Sequence, residues 1–137
     1  MNSAIHQLIL ASGSPRRKQL LEAAGYLFTV RVPDESVEQA VDSSLSPREF
    51  VVEAAFQKAK AIARTVTSEG ESGIVLAADT VAECDGLIIG KPRDRAHAKE
   101  ILLTMSGTRH AVFTGVCLWN CKTGAVSYTH LTLPTKA

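Results

Sequence analysis

Ile74-Val75-Leu76-Ala77-Ala78 is an unbroken apolar run that stops at a carboxylate, Asp79. Such a run has no polar face to offer water. It fits a strand buried on both sides, at the centre of a sheet that helices cover. Ser46-Pro47-Arg48-Glu49 begins one such helix. It is a capping box with proline at the first helical position, and it opens the longest helix, about Pro47–Thr65. The chain has 137 residues, 45% of them hydrophobic, which is one domain's worth with enough apolar surface for a core.

The other elements follow from the same reading. Gln7–Ser12 is a short buried strand ending in Gly13-Ser14-Pro15. Ser14 is a helix N-cap and Pro15 the first helical residue of a helix Pro15–Ala24, with Leu20, Leu21 and Ala24 on one face and Gly25 as its stop. Tyr26–Val32 reads as a second strand, and Asp34–Ser44 as an acidic, mostly solvated loop. Val81–Cys84 and Leu87–Ile89 flank Asp85-Gly86, a hairpin signal. Asp94 caps a helix Arg95–Met105, and Ala111–Trp119 and Ala125–Leu133 form a final hairpin. The expected order is βαβαβββαββ, an α/β fold with a mixed sheet flanked by helices.

Charge and composition exclude several functions. Lys+Arg is 15 against Asp+Glu 14, a net charge of +1, so no basic field favours nucleic acid or a membrane surface. Aromatic residues are 5%, too few for a base-stacking platform. No apolar run approaches the roughly 18 residues of a membrane span. Cys84, Cys117 and Cys121 form no CxxC, which fits a reducing cytoplasm, with the thiols as small core hydrophobes. His6, His97, His110 and His130 make no ligand pair, and no GxSxG occurs.

Four places could carry chemistry. In Ser12-Gly13-Ser14-Pro15-Arg16-Arg17, two arginines occupy a helix's first turn, where the dipole is already positive. That arrangement suits a docked anion; the alternative is two solvated arginines. Asp79, ending the apolar run, needs a metal, a cation or a turn as partner. Lys58 falls within the stripe Val51, Ala54, Ala55, Ile62 and Val66 of the long helix, so it must snorkel or meet an anion. Lys91, in GLIIGKP, fails the phosphate-loop spacing and is either a turn lysine or a reach toward phosphate. Among the acids Asp34, Glu35, Glu38 and Asp42, spacing does not choose a metal ligand. Together these propose an anionic ligand held by cations beside one carboxylate, for which phosphate chemistry is the simplest union.

LILASGSPRR (Leu8–Arg17), AADTV (Ala77–Val81), GKP (Gly90–Pro92) and the stretch Leu103–Val116 with SGTRH and FTGV resemble, in this order, the motifs of the Maf family of nucleoside triphosphate pyrophosphatases. The resemblance runs from about residue 8 to about residue 119. It implies a Maf/ITPase-like fold and hydrolysis of a nucleoside triphosphate between its α and β phosphates. It also implies a divalent metal, usually Mg²⁺, and a cytoplasmic enzyme, often a homodimer. Ser12, Arg16, Arg17, Lys58 and Lys91 match the family's phosphate-binding positions. Asp79 matches its catalytic acid, and Glu35, with Asp79, its metal-binding acids. Arg17 and Thr80 match the subgroup acting on dTTP and UTP. The alternative function is a non-catalytic nucleotide-binding or division-regulating remnant of the family.

Ser127–Ala137 (SYTHLTLPTKA) does not resemble the family and reads as translated adaptor sequence on a truncated gene. The expected organisation is therefore a truncated domain over 1–126 and a non-native tail over 127–137. The tail has strand propensity and could extend the last hairpin, leaving apolar surface exposed beside it.

Overall fold

A computed structural model of the chain describes residues 7–84, 87–89, 94–105 and 109–136. The elements are β1 (Leu8–Leu10), α1 (Pro15–Ala23), β2 (Thr29–Val30), α2 (Glu35–Gln39), α3 (Pro47–Ser68), β3 (Ile74–Cys84), β4 (Leu87–Ile89), α4 (Arg95–Met105), β5 (Arg109–Asn120) and β6 (Val126–Lys136). The strands form one mixed sheet in the order β2-β1-β3-β5-β6, with β4 also on β3. β1 runs parallel to both β2 and β3, while β3–β4, β3–β5 and β5–β6 are antiparallel.

The apolar run does form the central strand, but that strand does not stop at Asp79. β3 pairs with β5 along its whole length, from Ile74↔Asn120 to Cys84↔His110. Its other edge is shared. β1 pairs only with Ile74–Leu76, and β4 only with Ala82–Cys84. Among the described residues, no strand covers that edge of β3 between them. β1 covers only the first part of the apolar run, and Asp79 sits in the gap beyond it.

α3 lies across the sheet. Ser46 Oγ accepts the Glu49 N–H at 3.3 Å and donates to Glu49 Oε1 at 2.8 Å, closing the capping box. The buried face is Val51, Ala54, Ala55, Ala59, Ile62, Ala63 and Val66. Of these, Ala55, Ala59, Ile62, Ala63 and Val66 form one core cluster with Ile9, Ala11, Val75, Ala77 and Cys117. The four alanines let the helix approach closely. Gly115 of β5 completes the fit, because a Cβ there would collide with the backbone of Val51 and Val52.

Three local differences separate the structure from the sequence reading. Tyr26 does not begin a strand, because its N–H donates to Leu21 O at 3.1 Å and closes the end of α1, with Gly25 at φ 87°. β2 is therefore confined to Thr29–Val30. α1 buries none of its side chains, and Leu20 on its apolar face is 57% exposed. The acidic stretch contains a short helix, α2, opened by Asp34, whose Oδ1 accepts the Ser36 N–H at 2.9 Å. The observed order is thus βαβααββαββ. Residues 126–136 pair with β5 as an outer strand, and Tyr128 and Leu131 on it are exposed, as is Leu118 of β5. No helix among the described residues is long and apolar enough to cross a membrane.

Candidate active site

A cleft of about 600 Å³ opens at the gap in the edge of β3. The turn after β1 contributes Ser12, Gly13 and Ser14, and the first turn of α1 contributes Arg17. α2 and the residues before it contribute Asp34, Glu35 and Glu38; α3 contributes Lys58; β3 contributes Asp79 and Thr80. Because β1 leaves the sheet at Leu10, both Asp79 and its neighbour Thr80 reach this opening, though consecutive strand residues point to opposite faces.

On the face toward α3, Lys58 is the hub. Its Nζ donates to Asp79 Oδ1 at 3.1 Å and to Glu38 Oε1 at 3.0 Å. Its side chain is only 16% exposed, so the lysine in the apolar stripe meets anions and does not snorkel to water. Asp79 is 5% exposed, and its Oδ2 is buried with no hydrogen-bond partner among the described residues. Burial pushes the Asp79 carboxyl up to about 6; Glu38 adds to the rise, and the Lys58 ammonium opposes it. Two carboxyls, Asp79 and Glu38, share one ammonium and leave an Asp79 oxygen without a donor among the described residues, an arrangement that suits an added cation or a proton shared between the acids.

On the other side of the gap, Arg17 holds the turn after β1. Its Nη1 donates to Ser12 Oγ at 3.4 Å and its Nη2 to Thr80 Oγ1 at 3.1 Å. Ser12, itself buried, also accepts the Ser14 N–H at 3.1 Å, while Ser14 Oγ caps α1 by accepting the Arg17 N–H at 3.3 Å. Hydroxyls, a helix N-terminus without acidic residues in its first turn, and a guanidinium fork thus face one opening.

The structure therefore brings Ser12, Arg17, Lys58, Asp79 and Thr80 to one cleft. Arg16 is exposed and does not line it. Lys91 lies outside the described residues. Glu35 lines the cleft from the first turn of α2 and is exposed, whereas Glu38 one turn later is the acid that reaches Lys58. Lys58's position on an apolar stripe allowed either snorkelling or an acid partner such as this one. α2 is too short to show a period that would have selected Glu38. No group of three or more His, Cys, Asp or Glu side chains placed to hold a metal ion occurs among the described residues. Two carboxylates with an orphaned oxygen still suit Mg²⁺, which takes one or two protein carboxylates and completes its shell with substrate phosphate and water.

Comparison with solved structures places the fold first. A HAM1 protein from Coxiella burnetii superposes with a TM-score of 0.61 at 15% identity, covering 96% of this chain and 73% of that one. A nucleoside-triphosphatase / dITP/XTP pyrophosphatase from Mycobacterium abscessus gives 0.54 at 15% identity, covering 95% and 72%. At that identity the likeness is one of fold, a mixed sheet flanked by helices. Sequence then specifies the family. Residues 7–135 match the family described as Maf-like protein, and the chain belongs to it. It is 51% identical over 113 residues to a dTTP/UTP pyrophosphatase of Rhodopirellula baltica, covering 82% of this chain and 48% of that one. It is 49% identical over 112 residues to a dTTP/UTP pyrophosphatase of Bacillus cytotoxicus, covering 82% and 56%. The chain spans about half the length of these curated relatives.

Proposed function

We propose that this chain carries the phosphate-binding and catalytic side of a nucleoside triphosphate pyrophosphatase, acting on dTTP or UTP. The observation that carries the reading is the buried Asp79, one oxygen unpartnered, in the same cleft as Ser12, Arg17 and Lys58. The names of the two relatives support the substrate class.

The reaction consumes water and yields the nucleoside monophosphate and pyrophosphate. The N-terminus of α1, Ser12 and Arg17 bind the β and γ phosphates, where the leaving pyrophosphate gathers charge. Arg16, which does not line the cleft, and Lys91 are assigned to the phosphates by the resemblance alone. Asp79 orients the water that attacks the α phosphorus and takes up its proton. In the metal-free chain burial lifts this carboxyl to about 6, so it is still largely ionised at neutral pH and available to water or to a cation. Lys58 holds Asp79 in place. Asp79, with Glu38 or Glu35, would hold a divalent cation, Mg²⁺ in the resemblance above, which supplies charge neutralisation at the phosphates. Arg17 and Thr80, joined at 3.1 Å, border the site as the pair that discriminates among nucleotides. The reading places the enzyme in the cytoplasm, as a homodimer, with neither nucleic acid nor membrane as partner.

The test is the product pair formed from dTTP and Mg²⁺, read by phosphorus NMR. dTMP with pyrophosphate supports the reading. dTDP with phosphate overturns it, and binding of dTTP without turnover favours the non-catalytic alternative.

A further inference from the structure

The FTGV motif holds two residues that a buried strand would not choose for packing alone. Gly115 is accounted for by the backbone of α3 against it. Thr114 faces the other side of the sheet, since neighbours on a strand alternate. It stands directly opposite Thr80 in the β3–β5 register. The two hydroxyls are 3.0 Å apart, Thr80 Oγ1 to Thr114 Oγ1. Thr80 Oγ1 in turn accepts Arg17 Nη2 at 3.1 Å, and Arg17 Nη1 reaches Ser12 Oγ at 3.4 Å. A continuous hydrogen-bonded path therefore runs from β5, across β3, to the turn that follows β1.

We infer that Thr114 is a positioning residue for the phosphate-binding arginine, acting through Thr80. A threonine hydroxyl has one proton and two acceptor sites, and its rotor is free unless a second partner fixes it. Arg17 uses one acceptor site of Thr80. Thr114 occupies a second direction, and so fixes the rotamer of Thr80 that presents a lone pair to the guanidinium. With the arginine anchored at both Nη1 and Nη2, its remaining N–H groups face the opening in one orientation before any anion arrives. Binding then loses less side-chain entropy. Thr114 does not line the cleft, so its effect on the ligand is indirect.

This inference rests on the nucleotide reading above, and the test separates the two. The probes are dTTP and inorganic tripolyphosphate, titrated calorimetrically against the wild-type chain and the variants T114V, T114S, T80V and T80V/T114V. Valine keeps the shape and removes the hydroxyl; serine keeps the hydroxyl. The expected result is about a three- to tenfold weaker Kd for both probes in T114V, the scale of one neutral hydrogen bond. T114S should restore binding. The double variant should be no weaker than T80V alone, because Thr114 acts only through Thr80. A merely structural role would lower the melting temperature of T114V and add to the effect of T80V. Wild-type binding that T114V leaves intact, or additive losses in the double variant, overturns the role of Thr114 alone. A wild-type chain that binds neither probe overturns the nucleotide reading and this role with it.

Discussion

Asp79→Asn separates a catalytic carboxylate from a structural one, because the two roles predict opposite changes in stability. Burial raises the folded-state value from an ordinary 3.8 to about 6. The folded chain therefore holds the Asp79 proton more tightly than the unfolded chain does. Stability from this group is complete below about pH 4, falls as the pH rises through about 4 to 6, and is level above. The difference corresponds to about 3 kcal/mol lost between those limits. Asparagine keeps the shape and carries no charge, and Lys58 retains Glu38 at 3.0 Å. Urea unfolding of both proteins in chelator from pH 4 to 8 should show, in the difference between them, a wild-type stability that falls relative to D79N as the pH rises. The variant should equal or exceed the wild type by about 1–3 kcal/mol at pH 7, while losing about 10²-fold or more in turnover. A D79N protein less stable than the wild type at pH 7 would show that the ion pair with Lys58 is a structural asset, and the reasoning from the orphaned oxygen would fail.

Two further outcomes follow from the same contacts. Gly115→Ala should destabilise the fold by about 3 kcal/mol or more in urea unfolding, because its Cβ meets helix backbone that cannot rotate aside; a change below about 1 kcal/mol would mean α3 is free to shift. Arg17→Lys should weaken tripolyphosphate binding about tenfold with little change in melting temperature, since an ammonium cannot bridge Ser12 and Thr80 as a fork does; unchanged affinity would remove Arg17 from the anion site.

The legible parts of the sequence were those where one local rule acts alone. The run Ile74–Ala78 had to be a central strand, Ser46 and Glu49 had to cap a helix, and Lys58 on an apolar stripe had either to snorkel or to meet an anion, of which the structure shows the second. What stayed hidden depends on pairing between distant segments. Asp79 read as a strand end because hydrophobicity falls there, whereas the strand continues and only its cover stops. Glu38 was one of four acids in a stretch without a period, and only the packing of α2 against α3 selects it. Thr114 was visible as part of a motif, but its register against Thr80 exists only once β5 is paired. Lys91, the last of the cations expected at the phosphates, lies outside the described residues.

In the proposed reaction, cations at the start of α1 hold the leaving pyrophosphate while Asp79 directs water to the α phosphorus. Hydrolysis of dTTP in ¹⁸O-labelled water, with both products analysed by mass spectrometry, tests it most directly. The label should appear in dTMP and not in pyrophosphate, and turnover should be lost in D79N. Label in the pyrophosphate would place the attack on the β phosphorus and contradict the roles assigned to both halves of the cleft.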